Sequence, residues 1–147
     1  MIYRHRFTVR APVERVRAFH TRPDALASIT PPPIRLQLHE APGSLEFGGR
    51  MRFTLRFGPF GVGWTARVED VSPMGFVDVQ ESGPFRRWTH RHAFVALAQG
   101  QTEVLDVIDI QLRPHLWWGA FGLGMVLGLP LLFAYRARRT RRLLEAA

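Results

Sequence analysis

From Leu116 to Tyr135 no side chain carries a charge. About 20 apolar residues suffice to cross a bilayer, and the dense cationic run Arg136-Ala-Arg-Arg-Thr-Arg-Arg142 follows at once, as flanking charges of a membrane helix often do. Against a free span stand glycines 119, 122, 124 and 128 and Pro130, although a bilayer tolerates these better than water does. The same segment also suits a helix buried in a globular domain. The rest of the chain therefore has to supply a large apolar surface if this helix is to be covered.

It does so in strands. Ile2 to Arg10 alternates Tyr3, His5, Phe7 and Val9 against Arg4, Arg6, Thr8 and Arg10. Ala11-Pro12 ends that run, and Val13, Val16, Ala18 and Phe19 take up helical spacing to His20. A second short helix follows Arg22-Pro23-Asp24, with Leu26 and Ile29 apolar, until Thr30-Pro-Pro-Pro33 stops it. Alternating runs then cover Ile34 to Glu40, Gly49 to Phe57, Val62 to Val71, Phe76 to Glu81, Arg87 to Phe94 and Thr102 to Leu112. Turn residues separate most of them, at Gly58-Pro-Phe-Gly61, Ser72-Pro-Met-Gly75, Ser82-Gly-Pro84 and Ala98-Gln-Gly-Gln101. The expected architecture is one strand, two short helices, six further strands joined mainly by hairpins, and a long helix over 116–145. Consecutive hairpins build an antiparallel sheet with one apolar and one polar face. Here the polar face is rich in arginine, and the long helix is the only element large enough to cover the other. The buried-helix reading is thereby preferred, with one domain spanning 1–147 in the α+β class.

Composition narrows the chemistry. The chain has no cysteine, so disulfides and thiolate catalysis are excluded. All of its 20 basic residues are arginine, which excludes lysine Schiff bases and a lysine-bearing phosphate loop. The net charge of +8 permits contact with an anionic surface. Outside 136–142 the arginines are dispersed, however, and that run reads as the solvated last turns of a helix, so no nucleic-acid partner is expected. Arg4, His5, Arg6 and Arg10 interrupt any apolar leader, and a cytoplasmic protein is expected, with membrane association left open.

The densest motif is Gly83-Pro-Phe-Arg-Arg-Trp-Thr-His-Arg-His-Ala-Phe94. Trp88, His90, His92 and Phe94 share one parity, so one face of this strand joins imidazoles to aromatics. A concave ligand site has that mixture more often than a dry core does. A register through Gln99-Gly100 sets His92 opposite Asp106, an acid in the otherwise apolar row Val104, Ile108, Ile110. The turn at Gly83-Pro84 allows Asp78 to approach Trp88 and His90. An imidazole beside a carboxylate is suited to acid–base work; equally, buried polar groups pair simply to satisfy one another. His90, His92, Asp78 and Asp106 are the catalytic candidates. Phe53, Trp64, Phe85, Trp88, His90, His92 and Phe121 are the candidate ligand contacts. His-x-His with a neighbouring Asp can ligate a metal, but without a further His or Cys partner no metal and no cofactor is expected. His20, at a helix end, reads as a cap on a carbonyl.

The order of elements, with several local marks, resembles the helix-grip fold of the SRPBCC superfamily, which includes START-like lipid-binding domains and polyketide cyclases. The marks are Ala11-Pro12, Phe19-His20 with Pro23 and Leu26, Thr30-Pro31-Pro32, Trp64, Phe76-x-Asp78-x-Gln80, the central motif from Gly83 to Phe94, Thr102, Asp106, Pro114 and Tyr135-Arg136. The resemblance is to an uncharacterised bacterial ligand-binding branch and covers the whole chain, although Leu116 to Leu129 is richer in glycine than that family's helix. It implies a cavity between a curved sheet and the long helix, holding a small hydrophobic or aromatic molecule, in a carrier, sensor or ligand-binding protein. A cyclase or dehydratase using a His/Asp pair is the main alternative. A membrane-associated protein inserting the C-terminal helix is the second. The sequence leaves oligomeric state open.

Overall fold

The computed structural model describes residues 1–43 and 46–145; the expected domain runs on to 147, and residues 146 and 147 lie outside the described part. Seven strands form one antiparallel sheet: β1 (Ile2–Val9), β2 (Ile34–Glu40), β3 (Arg50–Phe57), β4 (Phe60–Ser72), β5 (Gly75–Ser82), β6 (Arg87–Ala96) and β7 (Thr102–Gln111). Their order is β1-β7-β6-β5-β4-β3-β2. Apart from β1, which returns to pair with β7, each strand lies beside its neighbour in sequence. Three α-helices complete the fold: α1 (Val13–His20), α2 (Ala25–Ser28) and α3 (Leu116–Glu145).

The alternation in the sequence maps onto the two faces. In β7, Thr102, Val104, Asp106, Ile108 and Ile110 are buried while the residues between them are half-exposed; β4 repeats the pattern with Val62, Trp64, Ala66 and Val68. The opposite face carries arginines, several of them matched to carboxylates: Arg50 to Glu81 at 2.8 Å, Arg67 to Glu81 at 3.2 Å and Arg87 to Asp109 at 2.9 Å. One tight backbone approach fixes the start of β5. A Cβ on Gly75 would lie 1.9 Å from the carbonyl oxygen of His92, so only glycine fits there.

Helix α3 lies against the inner face but does not fill it. Gly122, Leu129, Phe133, Ala137, Thr140 and Leu144 are its buried residues. Ala137 and Leu144 join an apolar cluster around α1 and β1, and Leu129 and Phe133 join another around Phe53, Trp64, Phe85 and Trp88. At Gly122 the contact is close: a Cβ would meet Leu112 Cδ2 at 2.9 Å and Phe85 Cε1 at 3.2 Å. The helix is not buried all round, contrary to the simplest expectation for so apolar a segment. Leu116, Leu123, Leu127 and Leu131 face solvent. A cavity keeps part of the inner side of α3 off the sheet, and among the described residues no second layer lies over the outer side.

Candidate functional site

The cavity encloses about 800 Å³ between the sheet, the α1–α2 segment and α3. Its walls are mostly apolar. Phe53 and Trp64 stack with ring planes 13° apart and centroids at 6.0 Å, and Trp88 stands edge-on to Trp64 at 5.2 Å. Phe121 lines the α3 side, together with Gly124 and Gly128, where a Cβ would meet nothing within 4 Å. These glycines keep the helix surface open towards the cavity.

The polar groups gather at one end. Alternation along β6 delivers His90 and His92, β5 delivers Asp78, and β7 delivers Asp106. In the backbone register Asp78 lies opposite His90 and Asp106 opposite His92. The side chains pair diagonally instead. His90 Nε2 donates to Asp106 Oδ1 at 2.8 Å, and His92 Nε2 donates to Asp78 Oδ2 at 2.7 Å. His92 Nδ1 also comes within 3.4 Å of Asp106 Oδ1. The two imidazoles stack at 3.7 Å between centroids, and Phe76 stacks on the far side of His92 at 4.3 Å. Three adjacent strands are thus joined by one hydrogen-bonded cluster.

The environments divide the histidines. Burial penalises an imidazolium at either position. At His92 the hydrogen bonds and charges of Asp106 and Asp78 outweigh that penalty and push the pKa up to about 9. At His90 burial prevails, reinforced by the charge of His92, and the pKa falls below its ordinary value. His90 is then neutral with its proton on Nε2, leaving Nδ1 as a lone pair. Burial alone would raise both acids, but the hydrogen bonds from the histidines hold Asp106 well below the usual carboxylate range, and Asp78 below it too.

Two further residues belong here. His20 lines the cavity, and its Nδ1–H donates to the Val16 carbonyl at 2.8 Å. Burial lowers its pKa to about 4, so its Nε2 is an acceptor at neutral pH. Arg136 also lines the cavity, with its guanidinium 5.1 Å from the centroid of the Phe133 ring. Its Nε is buried without a hydrogen-bond partner. Arg136 belongs to the cationic run expected to be solvated, yet its helical spacing from Phe133 is the signal for the inward face. Other members of that run are also engaged: Arg139 Nε donates to the Ser28 carbonyl at 3.2 Å and Arg141 Nε to that of Thr8 at 2.9 Å.

Among the sequence candidates, Phe53, Trp64, Trp88, His90, His92, Phe121 and Asp78 all line the cavity. Asp106 lies beneath the histidines, 6% exposed, as a group that orients them. Phe85 is not among the lining residues. It is fully buried behind the wall, against Trp88 at 4.8 Å and Trp64 at 5.8 Å. Phe85 precedes β6, so strand parity does not govern where it points. The Gln80 side-chain amide holds it there, donating to the Phe85 carbonyl at 2.8 Å and accepting from its N–H at 3.1 Å.

Donor atoms of Asp78, His90 and His92 lie within 4.8 Å of one another, close enough to be tested as a metal site. The chemistry does not fit one well. A metal would have to displace the proton that Asp78 and Asp106 stabilise on His92, and the Nε2 atoms of both histidines are already engaged by carboxylates. The arrangement fits a closed set of paired imidazoles and carboxylates better.

A curved antiparallel sheet gripping a long helix around an apolar cavity with one polar end defines a START-like helix-grip protein. Residues 9–131 match the family described as polyketide cyclase / dehydrase and lipid transport, and the chain belongs to that family. Solved structures share the fold. A protein from Chromobacterium violaceum aligns with a TM-score of 0.77 at 14% identity, over 98% of this chain and 96% of its own. An aromatase/cyclase from Streptomyces sp. R1128 gives 0.76 at 17% identity, over 99% and 93%. A START superfamily protein from Mycobacterium smegmatis gives 0.71 at 14% identity, over 99% and 97%. No curated protein matches the sequence.

Proposed function

We propose that this protein binds a small hydrophobic or aromatic molecule in the cavity, with a polar group of that molecule directed at the end formed by His20, His90, His92 and Arg136. The observation that carries the reading is one cavity of about 800 Å³ whose mostly apolar and aromatic lining includes the group His20, Asp78, His90, His92 and Arg136. A few placed polar groups in an apolar pocket orient a ligand, and apolar area supplies most of the affinity. Arg136 offers donors and His20 Nε2 an acceptor, a combination that matches a hydroxyl or phenol, which can both accept and donate. The family and its fold support a small hydrophobic ligand. A cytoplasmic location is proposed on the same footing.

Native mass spectrometry of the full chain, purified without detergent, tests this. A discrete apolar adduct on the wild type that is absent from Gly128→Phe supports the cavity as its site. An adduct retained by Gly128→Phe, or failure of the wild type to take up any hydrophobic fluorophore, overturns it.

A second reading is an enzyme of the cyclase or dehydratase type, and the opposite protonation of two stacked histidines favours it. Acid–base roles are commonly found where environments drive neighbouring pKa values apart. His90 would take a proton and His92 would give one. Under this reading His90→Gln leaves ligand binding nearly intact and lowers turnover about 100-fold or more. In a carrier the same change only weakens affinity modestly.

A further inference from the structure

Six of the large apolar side chains left in solvent belong to α3: Leu116, Trp117, Leu123, Leu127, Leu131 and Leu143. Leu116, Leu127 and Leu131 are 93%, 73% and 80% exposed. Scattered exposed leucines are ordinary; a contiguous apolar row is not. Leu116, Leu123, Leu127 and Leu131, with exposed Ala120 and Ala134 between and after them, follow steps of three and four residues. They therefore form one stripe, away from Leu129 and Phe133, and at 1.5 Å per residue it is about 27 Å long.

Continuing the same steps beyond Ala134 reaches Arg138 and Arg142, both exposed. Among the described residues neither forms an ion pair, whereas Arg10, Arg22, Arg50, Arg52, Arg67 and Arg87 each have a carboxylate partner. Arg138 and Arg142 line an open groove between α3 and β1 that also receives Arg6, Arg141 and one carboxylate, Glu145, which is paired with Arg10. An apolar stripe thus runs into a set of unmatched cations along one face.

We propose that this face of α3 lies flat on an anionic lipid bilayer. The leucines enter the boundary between headgroups and acyl chains, Trp117 takes the interfacial position that tryptophan favours, and Arg138 and Arg142 meet lipid phosphates. The helix lies on the bilayer rather than across it, because Leu129, Phe133, Ala137 and Leu144 hold its other face to the domain. Charge decides between a bilayer and a second copy, since a second copy brings the same net +8 to the unmatched arginines. Leu131 and Gly124 line the cavity as well as facing outwards, so the cavity opens beside the docked surface. This proposal stands whatever molecule the cavity takes.

Flotation of the full chain with vesicles of phosphatidylcholine, with and without phosphatidylglycerol, tests it. The wild type is expected to float with the anionic vesicles and to be released by salt. The double variant Leu127→Glu, Leu131→Glu should lose binding by about tenfold or more. Arg138→Ala and Arg142→Ala should each weaken it about fivefold. All four positions are exposed, and an unchanged melting temperature verifies that the variants fold. Absence of binding to either vesicle, or binding unaltered in these variants, overturns the proposal. So does sedimentation equilibrium in which the double glutamate variant turns a stable dimer into a monomer, since that assigns the face to a second copy.

Discussion

His90 and His92 stack at 3.7 Å between ring centroids while holding opposite protonation states. Two imidazolium rings so close would repel, and two neutral rings would leave buried Asp78 and Asp106 poorly compensated. One charged and one neutral ring is the arrangement that two flanking carboxylates stabilise.

That arrangement sets a pH window for stability. The folded pKa of His92, about 9, exceeds the ordinary histidine value of 6.5. Its contribution is therefore complete below 6.5 and is lost as pH rises through 9. The amount is about 3 kcal/mol by linkage. Urea denaturation at a series of pH values should show an alkaline decline over that interval, and His92→Gln should flatten it.

The acid side belongs to the histidines that burial lowers, His20 together with His90 and His5. His20 has a folded pKa of about 4 against 6.5 when unfolded. Between those values the unfolded chain binds more protons, so stability falls as pH drops from 6.5 towards 4. Asp78 and Asp106, both lowered, withdraw their contribution at still more acidic pH as they protonate. His20→Gln should make the acid decline shallower without abolishing it, and NMR titration of the His20 ring should return the depressed pKa.

Asp106→Asn should cost about 3 kcal/mol, because it removes one member of a buried ion pair and leaves the other poorly compensated. It should also move the His92 pKa down towards 6.5, which imidazole resonances would register directly. An unchanged His92 titration would show that Asp78 alone sustains the imidazolium.

The glycines of the fold should not behave alike. Gly128→Ala adds a Cβ where nothing lies within 4 Å, and should raise stability by up to about 1 kcal/mol through helix propensity. Gly122→Ala meets Leu112 and Phe85, and should destabilise by about 1–3 kcal/mol through overpacking. Gly75→Ala collides with the backbone of β6 at His92 and should lower the yield of folded protein most. Thermal melts of the three variants rank them.

Much of this was readable in the sequence because strands expose their parity. The rows Trp88-His90-His92-Phe94 and Val104-Asp106-Ile108-Ile110 did reach the inner face, and turn positions placed His92 across from Asp106. The hydrogen-bond partners were not readable. Register fixes backbone neighbours, but side-chain rotamers decide whether an imidazole reaches straight across or diagonally. Phe85 lies in the bend before β6, where parity gives no guide to the direction of a side chain. Arg136 shows the limit of reading a charge run as one unit, since helical spacing turned one of its members inwards. For α3, an apolar sequence could not say which of its sides would lack a neighbour.

The polar end of the cavity has a consequence in its electrical sum. Arg136 and His92 contribute two positive charges, and Asp78 and Asp106 two negative ones, while His20 and His90 are neutral at pH 7. A formally charged guest would upset that balance in a region poor in water, whereas a guest that is dipolar but uncharged leaves it intact. The pocket is in this sense a fixed zwitterionic solvent, suited to molecules that bring hydrogen-bonding capacity and no net charge.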